Sequence, residues 1–403
     1  IDNQEMIPLD RAIAIVEKQI EGFRPRGEWL PVRRAQGRAL LAPARSRLDL
    51  PPFDKSAMDG YALAAGDVRD RYRLVRTLAA GEAPLRGRVE PGTAVKVMTG
   101  AAVPAGAGVV VPIERTRLEG DEVVVLSRGQ DPNICSHGED VRRGDKVLEA
   151  GTTLGPLEVA VLVSCGLERV RVGRRPRIAI LATGDEIVDD PARLAAGRIM
   201  NSNGPLLAGL ARQYGLDVVL ERRVGDDARR TLAAIKTALA GADIVVITGG
   251  VSVGDHDYVG AALPRAGLKV HFNKVAVKPG RPMTFATRKG KAVFGLPGNP
   301  ASAFLMFHVF VLRAAARLGG GAWPVREFVM ALGFDYKRRS GERSEFVPCR
   351  IAPNGRLEKV EFHGSAHLSA LTQADGFFFV PAGCVMVGLG QNVLFLPVAR
   401  AWR

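Results

Sequence analysis

Asp243-Ile244-Val245-Val246-Ile247-Thr248-Gly249-Gly250-Val251-Ser252-Val253-Gly254-Asp255-His256-Asp257 is an apolar run that passes directly into a glycine-rich turn. Two similar units flank it. Ile178-Ala179-Ile180-Leu181 leads into Ala182-Thr183-Gly184-Asp185-Glu186, and the run from Ala292 leads into Gly295-Leu296-Pro297-Gly298-Asn299-Pro300. Each turn follows an apolar run and precedes or approaches a helical pattern. That places all three on one edge of an α/β sheet, where open sheets bind ligands.

The surrounding rhythm agrees. From Pro176 onward, strands read over Arg177–Ala182, Asp217–Glu221, Asp243–Thr248, Val270–Phe272 and Ala292–Gly295. Helices read over Pro205–Tyr214, Arg229–Ala240 and Ala301–Leu318. Alternation of this kind predicts a three-layer α/β domain with a parallel-type sheet over residues 176–320. Upstream, Leu9, Ala12, Ile13, Val16 and Ile20 form a helical stripe. Short β runs at Ala94–Met98, Gly108–Pro112 and Glu122–Leu126 make a β insertion over 49–145. A hairpin at Gly144–Leu154, a helix at Leu157–Val163 and a strand at Leu167–Val172 follow. Residues 6–48 and 146–175 flank the insertion and read as one mixed helical linker unit. After Gly319-Gly320-Gly321 the pattern is β again, a barrel-like domain over 326–403. The fold class is α/β multidomain, with no fixed-period repeat.

Composition narrows the function. At 403 residues, two to four domains are expected, and 47% hydrophobic content supplies their cores. The net charge of +14 comes from dispersed basic residues without an aromatic platform, so no nucleic-acid partner is expected. Cys135, Cys165, Cys349 and Cys384 form no CxxC pair, which argues against a zinc knuckle or redox dithiol. Ala301–Leu318 is interrupted by His308 and Arg313 and reads as a buried helix, not a membrane span. The chain opens without Met and without a signal-peptide pattern, so a few preceding residues and a cytoplasmic location are expected.

The turns carry the chemistry. Glycine frees backbone amides to cradle phosphate, and carboxylates beside phosphate call for a divalent cation, with Mg²⁺ the hard-oxygen default. Thr183, Gly184, Asp185 and Glu186 form the first turn, which reads equally as an acidic helix N-terminus. Gly249, Gly250, Ser252, Gly254 and Asp257 form the second, the most specific of the three. Pro297, Gly298 and Pro300 make a rigid third turn. Lys274, Lys278 and Arg281 are cations near the same edge, suited to phosphate. Asp226 and Asp227 follow a strand on the ligand side, or cap the next helix. Far upstream lie Asp54-Lys55-Ser56-Ala57-Met58-Asp59-Gly60-Tyr61, Met98-Thr99-Gly100-Ala101 and Gly138-Glu139-Asp140, each of which alone reads as a polar β-turn.

Together these motifs resemble the molybdopterin molybdenumtransferase family, the molybdenum insertases that include bacterial MoeA proteins and the C-terminal domain of gephyrin. They stand in the family order from about residue 50 to 300. The resemblance implies an enzyme that takes adenylylated molybdopterin and molybdate, uses a divalent metal to cleave the adenylyl phosphate bond, and releases AMP and molybdenum cofactor. It further implies catalytic roles for Asp59, Asp140, Glu186, Asp226 and Asp257, with Glu186 and Asp257 at the metal. Thr99, Gly100 and the three turns would bind the cofactor. Lys274 and Lys278 match phosphate-side cations, and Arg343 and Ser365 look like the family's Arg and Ser near the molybdate pocket. Cys135 stands where the family usually carries arginine. A homodimer with a shared cleft is implied, in which Asp59 and Asp140 face the partner's α/β domain. A molybdopterin adenylyltransferase and molybdoenzyme chaperones are the implied partners. Two other readings stay open: an adenylyltransferase on the same α/β domain, and a non-catalytic cofactor-binding scaffold.

Overall fold

The computed structural model describes residues 6–250 and 258–398. Ser252, Gly254 and Asp257 lie outside the described residues.

Six strands build the central sheet: β1 (Arg177–Thr183), β2 (Asp217–Val224), β3 (Ile244–Thr248), β4 (Lys269–Lys274), β5 (Pro282–Arg288) and β6 (Lys291–Leu296). They lie in the order β2-β1-β3-β6-β5-β4. β1 pairs in parallel with β2 and β3, and β3 with β6. β5 is antiparallel to both of its neighbours. Five strands therefore run one way and β5 alone runs back. The sheet is mixed, and β5 is the strand that the sequence pattern did not mark. It joins β6 through a two-residue hairpin in which Lys289 (φ 42°) and Gly290 (φ 76°) are both left-handed. Lys-Gly is a weaker turn signal than Asn-Gly.

Both faces of this sheet are buried. Ile178, Ile180, Ile244 and Val246 pack against α1 (Asn203–Gln213) and α4 (Pro300–Gly319). Ala179, Leu181, Val245 and Ile247, one residue out of phase, pack against α2 (Ala228–Gly241) and α3 (Tyr258–Arg265). Strands covered on both sides need continuous apolar runs, and the three-layer arrangement follows. Successive crossovers use opposite faces, because α1 leads to β2 and α2 leads back past β1 to β3. That reversal opens a crevice beyond the C-terminal ends of β1 and β3.

α4 is long and apolar enough by composition to cross a membrane, but most of it is buried in the protein core. It contains a π-helical turn at Phe307–Val311. The helix Leu9–Ile20 packs Leu9, Ala12, Val16 and Ile20 into the same core, and Glu17 pairs with Arg313 of α4. It thus joins the α/β core instead of the linker unit. The remaining linker segments do pair: Gly27–Pro31 with Arg169–Gly173, and Ala44–Arg45 with Lys146–Leu148, around Leu40, Leu154 and Leu162.

The insertion forms its own six-stranded sheet from strands between residues 60 and 125. At the C-terminal end, Phe328–Ala331, Asn392–Pro397, Gly376–Val380, Ser344–Ile351 and Leu357–Lys359 pair in sequence. A Leu332–Leu357 bridge closes the ring, a small barrel around Phe378 and Phe395. Val277–Lys278, between β4 and β5, pairs in parallel with Ser344–Glu345 of that barrel. The α/β domain and the barrel therefore share a ladder, and the boundary is not a clean cut near residue 320.

His308 sits in the π-turn, fully buried. A carbonyl can only accept, so His308 Nδ1–H donates to Phe304 O at 2.8 Å. Nε2 has no partner. Burial pushes the pKa from 6.5 down to about 4. The folded state holds the ring neutral, and below pH 6.5 the unfolded chain takes up a proton that the folded chain refuses. Stability from this group is full above pH 6.5 and falls as pH drops towards 4, by about 3 kcal/mol in all. Denaturant unfolding at pH 7 and pH 4.5 should show a smaller pH-dependent loss for His308→Leu than for the wild type. Equal losses would contradict this account.

Candidate active site

Three turns meet at the crevice. Gly249 (φ 85°) approaches β1 so closely that a Cβ there would lie 2.2 Å from Thr183 O. A Cβ on Gly250 would lie 2.8 Å from Thr183 Oγ1. Thr183 Oγ1 donates to Thr248 O (3.3 Å), and Thr248 Oγ1 donates to Pro297 O (3.3 Å). Asn203 Nδ2 donates to both Thr248 Oγ1 and Gly298 O, each at 2.7 Å. The Gly298 Cβ position lies 3.7 Å from Gly249 Cα. The turns predicted to share one sheet edge are in direct contact.

The acidic residues of the first turn lock onto the turn after β2. Asp185 N–H donates to Asp226 Oδ2 (3.3 Å), and Asp226 N–H donates to Asp185 Oδ1 (3.1 Å). Gly184 is held at φ 143°, with the exposed Glu186 carboxylate folded over it. Asp227 accepts from Arg230 N–H at 2.7 Å, so it is the cap of α2.

A cavity of about 640 Å³ opens between this edge and the C-terminal barrel. Lys278, Arg281, Arg343 and Lys359 line it on the cationic side, with Pro297 and Ser365. Asn299 Nδ2 donates to Ser365 Oγ at 2.7 Å, and Ala301 N–H donates to Ser365 O, which ties the third turn to the barrel. Pro300 opens α4 directly behind that turn. Lys278 Nζ pairs with Glu345 at 2.8 Å, and Arg338 reaches the same carboxylate at 3.5 Å. Burial and Glu345 together raise the pKa of Tyr336, another lining residue. Lys274 ends β4, the outermost strand of the sheet, and is not among the cavity-lining residues.

The upstream motifs assemble in the insertion lobe. Asp59 Oδ1 accepts from Thr99 N–H and Thr99 Oγ–H, both at 2.7 Å, and the backbone bond foremost holds the carboxyl below its usual range. Gly100 N–H donates to Ser56 O, and Gly138 N–H to Pro51 O. Asp140 N–H donates to Leu50 O, with the side chain exposed. Asp54 accepts from His137 N–H. Cys135 stands directly opposite Lys55 in a two-stranded ladder, so a cation adjoins that position. Burial, then Glu139, raises the Cys135 thiol pKa. The hydrogen bonds of Asp59, Asp140 and Asp54 all close within the lobe. The structure thus brings Asp59, Thr99, Gly100 and Asp140 together in one place, and the three turns with Lys278, Arg343 and Ser365 in another.

Three family models match successive stretches of the chain. Residues 7–166 match the MoeA N-terminal region (domain I and II), 179–317 a probable molybdopterin binding domain, and 331–398 the MoeA C-terminal region (domain IV). A molybdopterin molybdenumtransferase from Nostoc is 37% identical over 392 residues, covering 90% of this chain and 86% of that one. One from Staphylococcus aureus is 33% identical over 362 residues, 86% of this chain and 85% of the other.

The chain belongs to the MoeA family of molybdopterin molybdenumtransferases.

The molybdopterin biosynthesis MoeA protein from Pyrococcus horikoshii superimposes over 98% of the chain with a TM-score of 0.84 at 29% identity. Within this MoeA-family fold, sequence reasoning passed over Asn203 and Glu345. Asn203 follows Asn201-Ser202 at a helix start and looks like a cap. Glu345 lies in an ordinary β run, and only the Val277–Lys278 pairing brings it to the cavity.

Gly249→Ala should cost about 2 kcal/mol or more, because a left-handed φ and a carbonyl clash add. Gly290→Ala is the control, with φ 76° but open space around its Cβ position. Thermal melting of both variants should show the larger loss at position 249. Equal losses would mean that the close approach to Thr183 carries no cost.

Proposed function

We propose that the chain transfers molybdenum from molybdate to the dithiolene sulfurs of adenylylated molybdopterin, with release of AMP. Transferase chemistry and a place in molybdenum cofactor biosynthesis follow from its family. The observation that carries the reading is the charge of the cavity. Among the described residues, Glu345 is the one acidic residue lining it and is already bonded to Lys278 and Arg338, whereas Arg281, Arg343 and Lys359 line the space without a described carboxylate partner. Such a pocket suits a tetrahedral oxyanion, which Arg recognises through its fork of donors. Ser365 Oγ and the Gly298 backbone stand beside it.

In this reading the oxyanion sits against Arg343 and Ser365, while the Gly249–Gly250 amides and the Pro297–Pro300 turn hold the phosphate side of the pterin ligand. Lys274, at the outer end of the edge, adds long-range attraction. Mg²⁺ is the proposed metal. Among the described residues no three acidic, histidine or cysteine side chains converge. Mg²⁺ is commonly held by one or two carboxylates and completed by substrate phosphate oxygens. Glu186 would hold it, with Asp257, and the bound ion would offset phosphate charge. Asp185 and Asp226 keep the first turn in place through their paired backbone bonds.

Asp59 and Asp140 act in this proposal from the insertion lobe of a partner chain, in a homodimer. The helix Pro156–Ser164 supports a dimer, because it is almost wholly apolar yet leaves Leu157, Val161 and Val163 exposed, and Trp29 of the same unit is exposed as well. A molybdopterin adenylyltransferase would supply the substrate, and molybdoenzyme chaperones would receive the product, in the cytoplasm.

AMP release from adenylylated molybdopterin should depend on molybdate. Arg343→Ala removes a charge-assisted contact of about 1.5–3 kcal/mol. It should raise the molybdate concentration for half-maximal AMP release about 10- to 100-fold. Chelation of divalent metal should stop release, and added Mg²⁺ restore it. Molybdate-independent AMP release, or an unchanged molybdate requirement in Arg343→Ala, would refute the proposal.

A further inference from the structure

Asn203 takes no part in the proposed anion contacts, yet it bonds both the strand end that opens the second turn and the backbone of the third. It is the first residue of α1 and is only 6% exposed. Both hydrogens of its Nδ2 are used, one on Thr248 Oγ1 and one on Gly298 O. Gly298 O can only accept, which fixes Nδ2 as the amide atom facing it. Thr248 Oγ1, receiving one of these bonds, passes its own proton to Pro297 O, and Thr248 O receives from Thr183. One buried amide therefore clips the end of β3 to the turn after β6, and Thr183 of β1 joins them through the Thr248 carbonyl.

The other half of the same side chain is unsatisfied. Among the described residues, the buried Asn203 Oδ1 has no hydrogen-bond partner. A buried acceptor without a donor lowers stability. An apolar side chain of similar branched shape would avoid that cost. The amide is thus poorly suited to folding alone and well suited to holding the two carbonyls of the third turn at a fixed distance from Gly249.

We infer that Asn203 is a positioning residue for the reaction. It sets the spacing between the Gly249–Gly250 amides, which take the phosphate side of the ligand, and the Pro297–Gly298 wall, which borders the oxyanion cavity. Two reacting groups held on different turns lose rate steeply when the turns drift apart, even while each still binds. The chemistry of this inference rests on the proposed function; the clip itself rests on geometry alone.

The test uses the full chain with Asn203→Leu, Thr248→Val and the double variant. Asn203→Leu removes both donors and the orphan acceptor together. Three quantities are measured: the melting temperature, amide hydrogen exchange, and kcat and KM for AMP release. The inference expects Asn203→Leu to melt as high as the wild type or higher. Its kcat should fall about 10- to 100-fold with KM within about threefold. Exchange should rise at Gly249, Gly250, Gly298 and Asn299 and not in the barrel or the insertion lobe. Because the two residues form one relay, the double variant should be no slower than the worse single variant within about twofold. A folded Asn203→Leu with wild-type kcat overturns the inference, and so does a double variant whose loss is the product of the single losses. Where Asn203→Leu does not fold, Asn203→Ser, which keeps one donor, decides in the same way: a lowered kcat in a folded protein supports the inference and an unchanged one overturns it. If the wild type releases no AMP, the proposed function has failed. Exchange at the four amides then still decides the clip.

Discussion

The crevice depends on backbone running against backbone with no room for a side chain. At Gly249 the chain comes within a Cβ's reach of the Thr183 carbonyl, and at Gly250 within reach of the Thr183 hydroxyl. Two parallel strands normally keep their neighbouring turns apart by the width of the residues that cap them. Removing Cβ atoms lets the turns after β1 and β3 close on each other, and the Thr248 hydroxyl then reaches the Pro297 carbonyl. The third turn has the opposite character, because Pro297 and Pro300 stiffen it. Flexible backbone is thus pinned against rigid backbone, and amides that would otherwise be spent on local turns are held at one ligand-sized opening.

The same economy of space governs the far wall. Glu345 is buried at the barrel edge, and an unpaired carboxylate there would be costly. Lys278 satisfies it because Val277–Lys278 leaves the α/β sheet and pairs in register with Ser344–Glu345. Arg338 adds a second contact and also donates to the Arg343 carbonyl, which holds the backbone of the residue proposed to meet the oxyanion. An ion pair that joins two domains at the cavity floor also removes one cation and one anion from the field inside it. The charge left over, on Arg281, Arg343 and Lys359, sets the pocket's preference for anions.

Much of this was legible in the sequence, for identifiable reasons. The apolar runs before Thr183, Thr248 and Leu296 announce buried parallel strands. The glycines after the first two mark close approach, and the prolines of the third mark a fixed turn. What escaped has equally plain causes. β5 hides behind a Lys-Gly hairpin. The helix Leu9–Ile20 carries a stripe that shows it is half-buried but cannot show against what, and it packs on α4. The pairing of Val277–Lys278 with the barrel links residues over sixty positions apart, which no local pattern encodes. Asn203 looks like any residue at a helix start, because the two turns it joins are separated from it by 45 and 95 positions.

The division of the acidic residues between two places has its own logic. Asp59 is fixed by two bonds from Thr99, and its neighbours Ser56 and Gly100 are stitched to each other, so this carboxylate is held where it stands. Rigid acids placed away from the anion cavity cannot oppose the binding of phosphate or molybdate, as they would if they lined the same wall. The β lobe inserted between the paired linker strands carries Asp59 and Asp140 apart from the residues that line the cationic cavity, whereas Glu186 and Asp226 stay on the α/β edge.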